Sequence, residues 1–301
     1  MEKPAYHVPV LLHESIDGLN IDPNGVYVDV TFGGGGHSRS ILKKLDKGRL
    51  FAFDQDEDAK ANVPDDDRFT LIDQNFRYME NYLRLFGVRQ VDGILADLGV
   101  SSHQFNEAER GFSFRFDAPL DMRMSQKSPL TAAKFIADSS VDELATVLRQ
   151  YGEMNGAGRV ARTLKSIQPK GATLSTGEVI QAIQPMVPAL KANKFQAQVF
   201  QALRIAVNDE MGALKAMLEQ SERILKPGGR LVVISYHSLE DRLVKYFMRS
   251  GNFDDDLKKD FYGNPLCPFK TISRGSVNPT EEENENNSRA RSARMRIAEH
   301  I

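Results

Sequence analysis

The feature that most constrains this chain is a run of four glycines, Gly33 to Gly36, directly after the mostly apolar segment Val26–Thr31. A helical pattern begins immediately after the run, at His37. Because glycine has no side chain, such a loop lets the backbone turn sharply into a helix and approach a bound ligand closely. The segment therefore predicts a ligand-binding turn between a strand and a helix.

A second apolar segment, Arg49–Asp54, ends in a carboxylate about twenty residues after Gly33, where doubly wound folds place the acid that binds a ribose. We expect Asp54 to accept hydrogen bonds from both ribose hydroxyls of an adenosine-containing cofactor. The glycine spacing differs from the dinucleotide pattern G-x-G-x-x-G, in which the helix N-terminus is left free for a pyrophosphate. S-adenosylmethionine, which carries no phosphate, therefore fits the spacing better than NAD.

Strands and helices alternate through the first hundred residues or so. The predicted strands are Val26–Thr31, Arg49–Asp54, Phe69–Asp73 and Gly93–Leu98, with helical patterns near Ser38–Leu45, Glu57–Asn62 and Tyr78–Phe86. This alternation predicts an α/β fold, a parallel sheet with helices on both faces.

After Asp97 the alternation stops for roughly a hundred residues, and helical patterns dominate. They lie at Val141–Tyr151, Gly158–Ile167, Thr176–Ile183 and about Phe195–Leu225, with Pro169, Pro185 and Pro188 as interruptions. The α/β rhythm returns with the strand Arg230–Ser235 and the helix Ser238–Arg249. We therefore predict a helical substrate-recognition domain, residues 105–204, inserted into a cofactor-binding domain made of residues 1–104 and 205–301. The polar segment Asp254–Asn287 is expected to be a long loop before a last strand near Met295–Ala298.

Side chains suited to a ligand site follow several predicted strands. Asp97 ends the fourth strand, in the crevice where open α/β sheets bind ligands, although capping of the next helix is an alternative. Phe76 follows the third strand and could cover an adenine ring or belong to the core. His237 ends the strand Arg230–Ser235 at the same edge, and could contact substrate or serve as a structural hydrogen-bonding group.

The net charge is −2, but the basic residues are clustered. Between Met154 and Lys194 a single acid accompanies six bases, Arg159, Arg162, Lys165, Lys170, Lys191 and Lys194. The first three are spaced so that they share one helix face. A second cluster comprises Arg289, Arg291, Arg294 and Arg296. A solvated surface is the simplest interpretation of each cluster alone. Two basic clusters in a net acidic chain nevertheless favour a polyanionic partner, so both clusters are candidates for phosphate contacts.

Composition disfavours other classes of protein. The single cysteine, Cys267, excludes an internal disulfide and a cysteine-rich zinc site, and it is expected to be an unreactive buried thiol. No apolar run approaches the ~18 residues of a membrane span. The first residues do not show the pattern of a secretory signal, so we expect a cytoplasmic protein without a metal or a membrane partner.

Longer strings are spread over nearly the whole chain, among them Thr31-Phe-Gly-Gly-Gly-Gly-His-Ser38, Asp92-Gly-Ile-Leu-Ala-Asp-Leu-Gly-Val-Ser-Ser102, Pro119-Leu-Asp-Met-Arg-Met124, Val207-Asn-Asp-Glu210 and His237-Ser-Leu-Glu-Asp-Arg242. They resemble the bacterial 16S rRNA (cytosine-N4)-methyltransferase family, RsmH/MraW. The resemblance implies a Rossmann-like methyltransferase sheet with S-adenosylmethionine as cofactor. It also implies methylation of the exocyclic amine of one cytosine in the decoding region of 16S rRNA, alone or within the small ribosomal subunit.

The same resemblance implies a set of cofactor contacts, Gly35, Gly36, His37, Asp54, Phe76, Asp97 and Gln104; Gly33, which opens the glycine run, is a further candidate. Asp97, or a backbone carbonyl between Leu98 and Ser101, is expected to accept a hydrogen bond from the cytosine amine. The base must be splayed out of its stack to reach the site. Phe105, Phe112 and Tyr236 are the candidates for stacking on it.

Two other interpretations stay open. An amino methyltransferase acting on DNA or on another RNA would carry the same cofactor motifs. A cofactor-binding protein without transfer activity could use the basic clusters in the assembly of a ribosomal particle. A nicotinamide oxidoreductase is disfavoured, because the glycine spacing is wrong and no hydride-handling site is recognisable.

Overall fold

The computed structural model describes residues 9–168, 173–187, 192–273 and 275–301. Pro169, Lys170, Pro188 and Lys191, which the sequence predictions include, lie outside these ranges. The chain divides into two compact units, one made of residues 1–99 and 212–301 and the other of Val100–Met211. These limits lie a few residues from those predicted for the inserted domain. The role of the second unit in substrate recognition stays a prediction.

Within the described residues, the first unit contains a sheet of seven strands in the order β3-β2-β1-β4-β5-β7-β6. The strands are β1 (Val26–Asp29), β2 (Arg49–Phe53), β3 (Phe69–Ile72), β4 (Val91–Asp97), β5 (Leu225–Ser235), β6 (Phe269–Thr271) and β7 (Arg294–His300). Strands β1 to β5 pair in parallel, whereas β7 runs antiparallel to both of its neighbours, β5 and β6. The chain order reverses at β1 and β4, and open α/β sheets bind ligands beyond the carboxyl ends of strands at such a switch point.

The helices of the described residues are distributed over both units. They are α1 (Leu12–Leu19), α2 (Gly36–Leu42), α3 (Met79–Leu85), α4 (Ser102–Asn106), α5 (Ala132–Asp138), α6 (Val141–Tyr151), α7 (Ala157–Ile167), α8 (Thr176–Ile183), α9 (Ala192–Asn208), α10 (Glu210–Ile224), α11 (Ser238–Ser250) and α12 (Glu281–Asn286). Short 3-10 helices lie at Glu57–Asn62, Phe76–Tyr78, Ala108–Arg110, Gln184–Met186 and Ala290–Ser292.

Alternating side chains of the central strands build a core on each face of the sheet. Phe51 and Phe53 of β2 pack with residues of α3, α10 and α11. Leu50 and Ala52 of the same strand pack on the other face, with residues of α1 and α2. Because both faces are apolar and covered by helices, the predicted α/β architecture is confirmed.

The second unit is helical and has a core of its own. Leu148 of α6, Leu164 of α7 and Leu203 of α9 are fully buried in it. An isolated bridge between Pro119 and Ser175 joins the loop before α5 to the start of α8. Among the described residues, none of the helices in either unit is both long and apolar enough for a bilayer crossing.

Several predicted elements were wrong in detail. The helical pattern from Phe195 to Leu225 is two helices, because Asp209 adopts a left-handed backbone with φ of 47° between α9 and α10. The segment Asp254–Asn287, expected to be a loop, contains β6 and α12. The last strand, predicted near Met295–Ala298, is longer and spans Arg294–His300, so Arg294 and Arg296 both lie in the sheet.

Cys267 is half-buried rather than fully buried. Its thiol donates to the carbonyl of Met248 at 3.6 Å. Burial raises the pKa of Cys267, so the unreactive thiol form is favoured at neutral pH.

Candidate functional site

The candidate site lies at the carboxyl ends of four adjacent parallel strands in the first unit. Asp29 ends β1, Asp97 ends β4, and Asp54 follows β2 directly. Phe76 lies a few residues after β3. The sheet order therefore brings together residues that are far apart in sequence, as expected for a ligand crevice at the switch point.

The glycine loop between β1 and α2 has the backbone that its composition predicts. Gly33 and Gly35 have φ values of 48° and 74°, which side chains with a Cβ adopt only with strain. At Gly36 the limit is space, because an added Cβ would lie 2.2 Å from Cγ of Pro9. Arg39 braces the loop by donating to the carbonyl of Gly34 at 2.6 Å. The loop is therefore a rigid turn.

Asp54 ties this loop to the end of β2. Its Oδ2 accepts the backbone N–H of Gly33 at 2.7 Å, and its Oδ1 accepts that of Asp56 at 2.9 Å. Burial raises the pKa of Asp54 to about 6, although the two backbone donors act in the opposite direction. Since an ionised carboxylate offers about four acceptor positions, two remain for a pair of ribose hydroxyls.

Asp29 is a site residue that the sequence analysis missed. Its side chain is 1% exposed and accepts hydrogen bonds from Ser38 Oγ at 2.7 Å and from the backbone N–H of Thr31 at 3.1 Å. Thr31 Oγ1 in turn accepts the backbone N–H of Asp97 at 2.6 Å. Burial raises the pKa of Asp29. A single acid in an otherwise apolar strand was the available signal.

Asp97 has defined contacts at both carboxylate oxygens. Its Oδ1 accepts the hydroxyl of Tyr236 at 2.7 Å, and its Oδ2 lies 3.8 Å from Nδ1 of His37. The side chain is 24% exposed. Burial raises the pKa of Asp97, and the charges of Asp29 and Glu240 raise it further, whereas His37 and the Tyr236 hydroxyl lower it.

His37 is fixed by its other ring nitrogen. Its Nε2 lies 3.2 Å from the carbonyl oxygen of Val10, and the ring is 6% exposed. Because a carbonyl can only accept, this hydrogen bond assigns a proton to Nε2 and turns Nδ1 toward Asp97. Gly35 caps the helix that carries the residue, so the glycine loop sets the position of the ring.

His237 has a structural role at the start of α11. It is the N-cap residue, and its Nδ1 accepts the backbone N–H of Glu240 at 3.4 Å, while Glu240 Oε2 accepts the backbone N–H of Tyr236 at 2.9 Å. The structure thus shows His237 as a structural hydrogen-bonding group, one of its two predicted roles. A contact of this residue with substrate stays a prediction.

The remaining candidate cofactor contacts differ in their surroundings. Phe76 is half-buried and packs against the core that includes Phe51. Gln104 is 5% exposed in the second unit, where its Oε1 accepts the backbone N–H of Ser101 in a capping box. Cofactor contacts from both residues stay predictions.

The structure reduces the number of residues that are candidates for stacking on a base. Phe112 is 6% exposed in the core of the second unit, so its selection was wrong. Phe105 is half-buried against the same core, with the Arg115 guanidinium 5.5 Å from its ring. Tyr236 is half-buried in the first unit, and its hydroxyl is committed to Asp97.

The predicted phosphate contacts also divide into two groups. Arg159 and Arg162 are exposed on α7. The ammonium of Lys165, in contrast, donates to three carbonyls at the end of α5, those of Ile136, Ala137 and Ser139, at 3.2, 2.5 and 2.6 Å. A phosphate contact from Lys165 is therefore replaced by a helix-capping role.

Two arginines near the C-terminus also contact another side chain of the protein. Arg296 donates to both carboxylate oxygens of Asp241, at 2.7 and 3.0 Å. Arg294 reaches the same carboxylate at 3.5 Å. These contacts join β7 to α11 within the first unit, so Arg296 has a structural role, whereas the side chain of Arg294 is still 58% exposed.

Comparison with known proteins agrees with this geometry. The profile of the MraW methylase family matches residues 4–301. The chain belongs to this family. It is 55% identical over 297 residues to the Ribosomal RNA small subunit methyltransferase H of Flavobacterium johnsoniae, with 98% of each chain covered. It is 56% identical over 296 residues to the protein of the same name from Cytophaga hutchinsonii, with 98% of this chain and 99% of that protein covered.

Among solved structures, an rRNA methylase from Streptococcus thermophilus covers 98% of this chain and 99% of its own, with 13% identity and a TM-score of 0.42. The family membership confirms the resemblance seen in the sequence strings. The chain is an S-adenosylmethionine-dependent methyltransferase with a Rossmann-like sheet. The loop at Gly33 to Gly36 and the open acceptor positions of Asp54 fit that cofactor.

Proposed function

We propose that this methyltransferase acts on 16S rRNA, at the exocyclic N4 amine of a cytosine in the decoding region. The relatives named above support a small-subunit ribosomal RNA substrate. The observation that carries the proposal is the position of Asp97, a carboxylate fixed by Tyr236 at the carboxyl end of β4 and 3.8 Å from His37. A fixed acceptor beside a methyl-donor site suits the activation of an amine.

The carboxyl ends of β1 to β4 offer the groups that S-adenosylmethionine requires. Asp54 accepts the ribose hydroxyls at its two open acceptor positions. Phe76 covers one face of the adenine ring. The backbone at Gly33, Gly35 and Gly36 allows close approach of the donor, and His37 lines the site next to Asp97.

The chemistry explains why a carboxylate is needed. S-adenosylmethionine, when bound, supplies an electrophilic methyl group on a positively charged sulfur. The cytosine amine is a weak nucleophile because its lone pair is delocalised into the ring. A hydrogen bond from N4–H to Asp97 favours a pyramidal nitrogen whose lone pair points at the methyl carbon. Once the amine has been methylated, Asp97 would accept the proton that the nitrogen loses.

The RNA itself is held by positive charge in the second unit. Arg159 and Arg162 are exposed and lie three residues apart on α7, so both can reach phosphates of one strand. Phosphate contacts fix the register of the RNA without reading its sequence. Selection of a single cytosine then depends on which base is splayed out into the methyl-donor site.

Mass mapping of methylated cytosines in 16S rRNA tests the proposal. Cells with the wild-type protein should carry a cytosine modification that is absent from a deletion strain. Complementation with Asp97→Asn should leave that cytosine unmodified, because general acid–base groups contribute about 10²–10⁴-fold to rate. The matched control is Asp92→Asn, at the opposite end of β4, where the carboxylate instead pairs with Lys226.

Each alternative predicts a different outcome. An enzyme for DNA or another RNA would leave the 16S rRNA map unchanged on deletion. A protein without transfer activity would bind S-adenosylmethionine and yield no methylated product with any RNA. Full modification by the Asp97→Asn protein would contradict the role given to Asp97.

A further inference from the structure

Tyr236 lies directly after β5 and reaches across to the end of β4. Its hydroxyl donates a 2.7 Å hydrogen bond to Oδ1 of Asp97. Burial and the nearby charge of Asp97 raise the pKa of Tyr236 well above its ordinary value, so the hydroxyl remains a donor at every working pH. The residue was a candidate for base stacking, but its contact is with the carboxylate.

The groups around Asp97 come from several elements and shift its pKa in opposite directions. His37 of α2 favours the charged carboxylate, whereas Asp29 of β1 and Glu240 of α11 oppose it by repulsion. Thr31 holds only the backbone of Asp97, by accepting its N–H. Tyr236 is thus a neutral donor that stabilises the ionised carboxylate in a place where burial favours its protonation.

We propose that Tyr236 is a positioning residue for methyl transfer, which holds Asp97 ionised and in one rotamer so that Oδ2 is presented to the amine. This inference rests on the proposed function. With Oδ1 occupied by the phenol, rotation of the carboxylate would break a charge-assisted hydrogen bond. The oxygen on the side of His37 is then the one available to accept the proton of N4.

The variant Tyr236→Phe isolates the hydroxyl, because it keeps the ring and its packing. Loss of a donor to the charged form raises the pKa of Asp97, so ionisation of the carboxylate should require a higher pH. We expect the acid limb of the kcat profile to move up by about one pH unit, with kcat on that limb lowered by up to about tenfold. The KM for S-adenosylmethionine should stay within about twofold, because the ribose and adenine contacts are unaffected.

Tyr27→Phe is the matched control. Tyr27 is buried, and its hydroxyl accepts the backbone N–H of Asp22 at 2.7 Å, away from Asp97. This variant should lose some stability and keep the wild-type pH profile. If the profile of Tyr236→Phe also overlays that of the wild type, the positioning role is wrong.

A second measurement does not depend on turnover. In protein with ¹³C-labelled aspartate carboxyls, the signal lost in Asp97→Asn identifies Asp97, and its titration gives the pKa directly. The inference requires that pKa to be higher in Tyr236→Phe than in the wild type, and equal values would overturn it. Failure of the wild-type protein to methylate a cytosine would contradict the proposed function instead, and this titration would still decide whether Tyr236 controls Asp97.

Discussion

The backbone N–H of Gly33 donates to Oδ2 of Asp54 at 2.7 Å, so the glycine turn and the expected ribose acid form one structural unit. The two segments are adjacent because β1 and β2 pair in parallel and end at the same edge. A change in the charge of Asp54 should therefore alter the proposed ribose contact and a support of the glycine turn together.

This relationship predicts a pH dependence of S-adenosylmethionine binding. The pKa of Asp54 is raised to about 6, above its usual value near 3.8, and only the ionised form accepts both hydroxyls without donating. Affinity should be constant above about pH 7 and fall as the pH drops through 6. Titration calorimetry between pH 5 and pH 8 checks this expectation.

The variant Asp54→Asn should bind S-adenosylmethionine about 10–100-fold more weakly at pH 7.5, since hydrogen bonds to charged groups contribute about 1.5–3 kcal/mol. The bend near pH 6 should also disappear from its affinity profile. Asp65→Asn, an exposed carboxylate four residues before β3, is the control and should bind like the wild type. Equal affinities of the two variants would show that Asp54 does not bind the ribose.

Gly36→Ala should weaken both folding and cofactor binding. Its Cβ would lie 2.2 Å from Pro9 Cγ, so the glycine loop or the segment at Pro9 must shift. A cost of about 1–3 kcal/mol in unfolding free energy is expected from such overpacking. In Gly87→Ala, where φ is 74° and the space is open, backbone strain of about 1–2 kcal/mol should lower stability while S-adenosylmethionine affinity is kept. Urea denaturation with parallel calorimetry separates the two effects.

Lys165→Met should destabilise the end of α5 and leave the RNA affinity nearly unchanged. The ammonium stabilises carbonyls that otherwise have no helical partner, an effect of about 1–3 kcal/mol. Hydrogen exchange of the amides in Ala132–Asp138 should become faster. The control is Lys134→Met, an exposed lysine on α5 itself. A large loss of RNA affinity in Lys165→Met alone would restore the phosphate role predicted from the sequence.

Arg159→Gln combined with Arg162→Gln should reduce affinity for 16S rRNA and its salt dependence. Each lost phosphate contact lowers the slope of log affinity against log salt by about 0.7–0.9, so the double variant should lose about 1.4–1.8. A double variant of equal charge change, Lys134→Gln with Arg149→Gln, also alters exposed residues of the second unit. Identical slopes for the two double variants would indicate a general charge effect and not a binding surface.

Local patterns predicted much of the fold. The strand patterns near Val26, Arg49 and Phe69 and the helix over Val141–Tyr151 reflect periodicity that depends on neighbouring residues alone. The break at Asp209 was not predictable in this way, because the apolar helical period continues on both sides of it. Strand β6 is three residues long, and its formation depends on pairing with β7 and on burial of Phe269, both of which involve residues distant in sequence.

In the candidate site, too, some features depend on local sequence and others on residues distant in sequence. The proximity of Gly33 and Asp54 could be predicted because their spacing has a physical reason within one βαβ segment. The Tyr236–Asp97 hydrogen bond joins residues 139 positions apart, and the cap by Lys165 depends on where α5 ends in space. Such roles depend on tertiary neighbours, so charge and residue type alone suggested phosphate binding and base stacking instead.

Residues Val100–Met211 interrupt the first unit, and this affects the order in which parts of the chain can fold during synthesis. The helical unit is continuous, so a nascent chain can close its core while later residues are still being translated. The sheet cannot be completed then, since β5 and β7 emerge last and β6 has no partner before β7. Until that point the edge of β4 that β5 will cover is open to pairing with other segments of polypeptide.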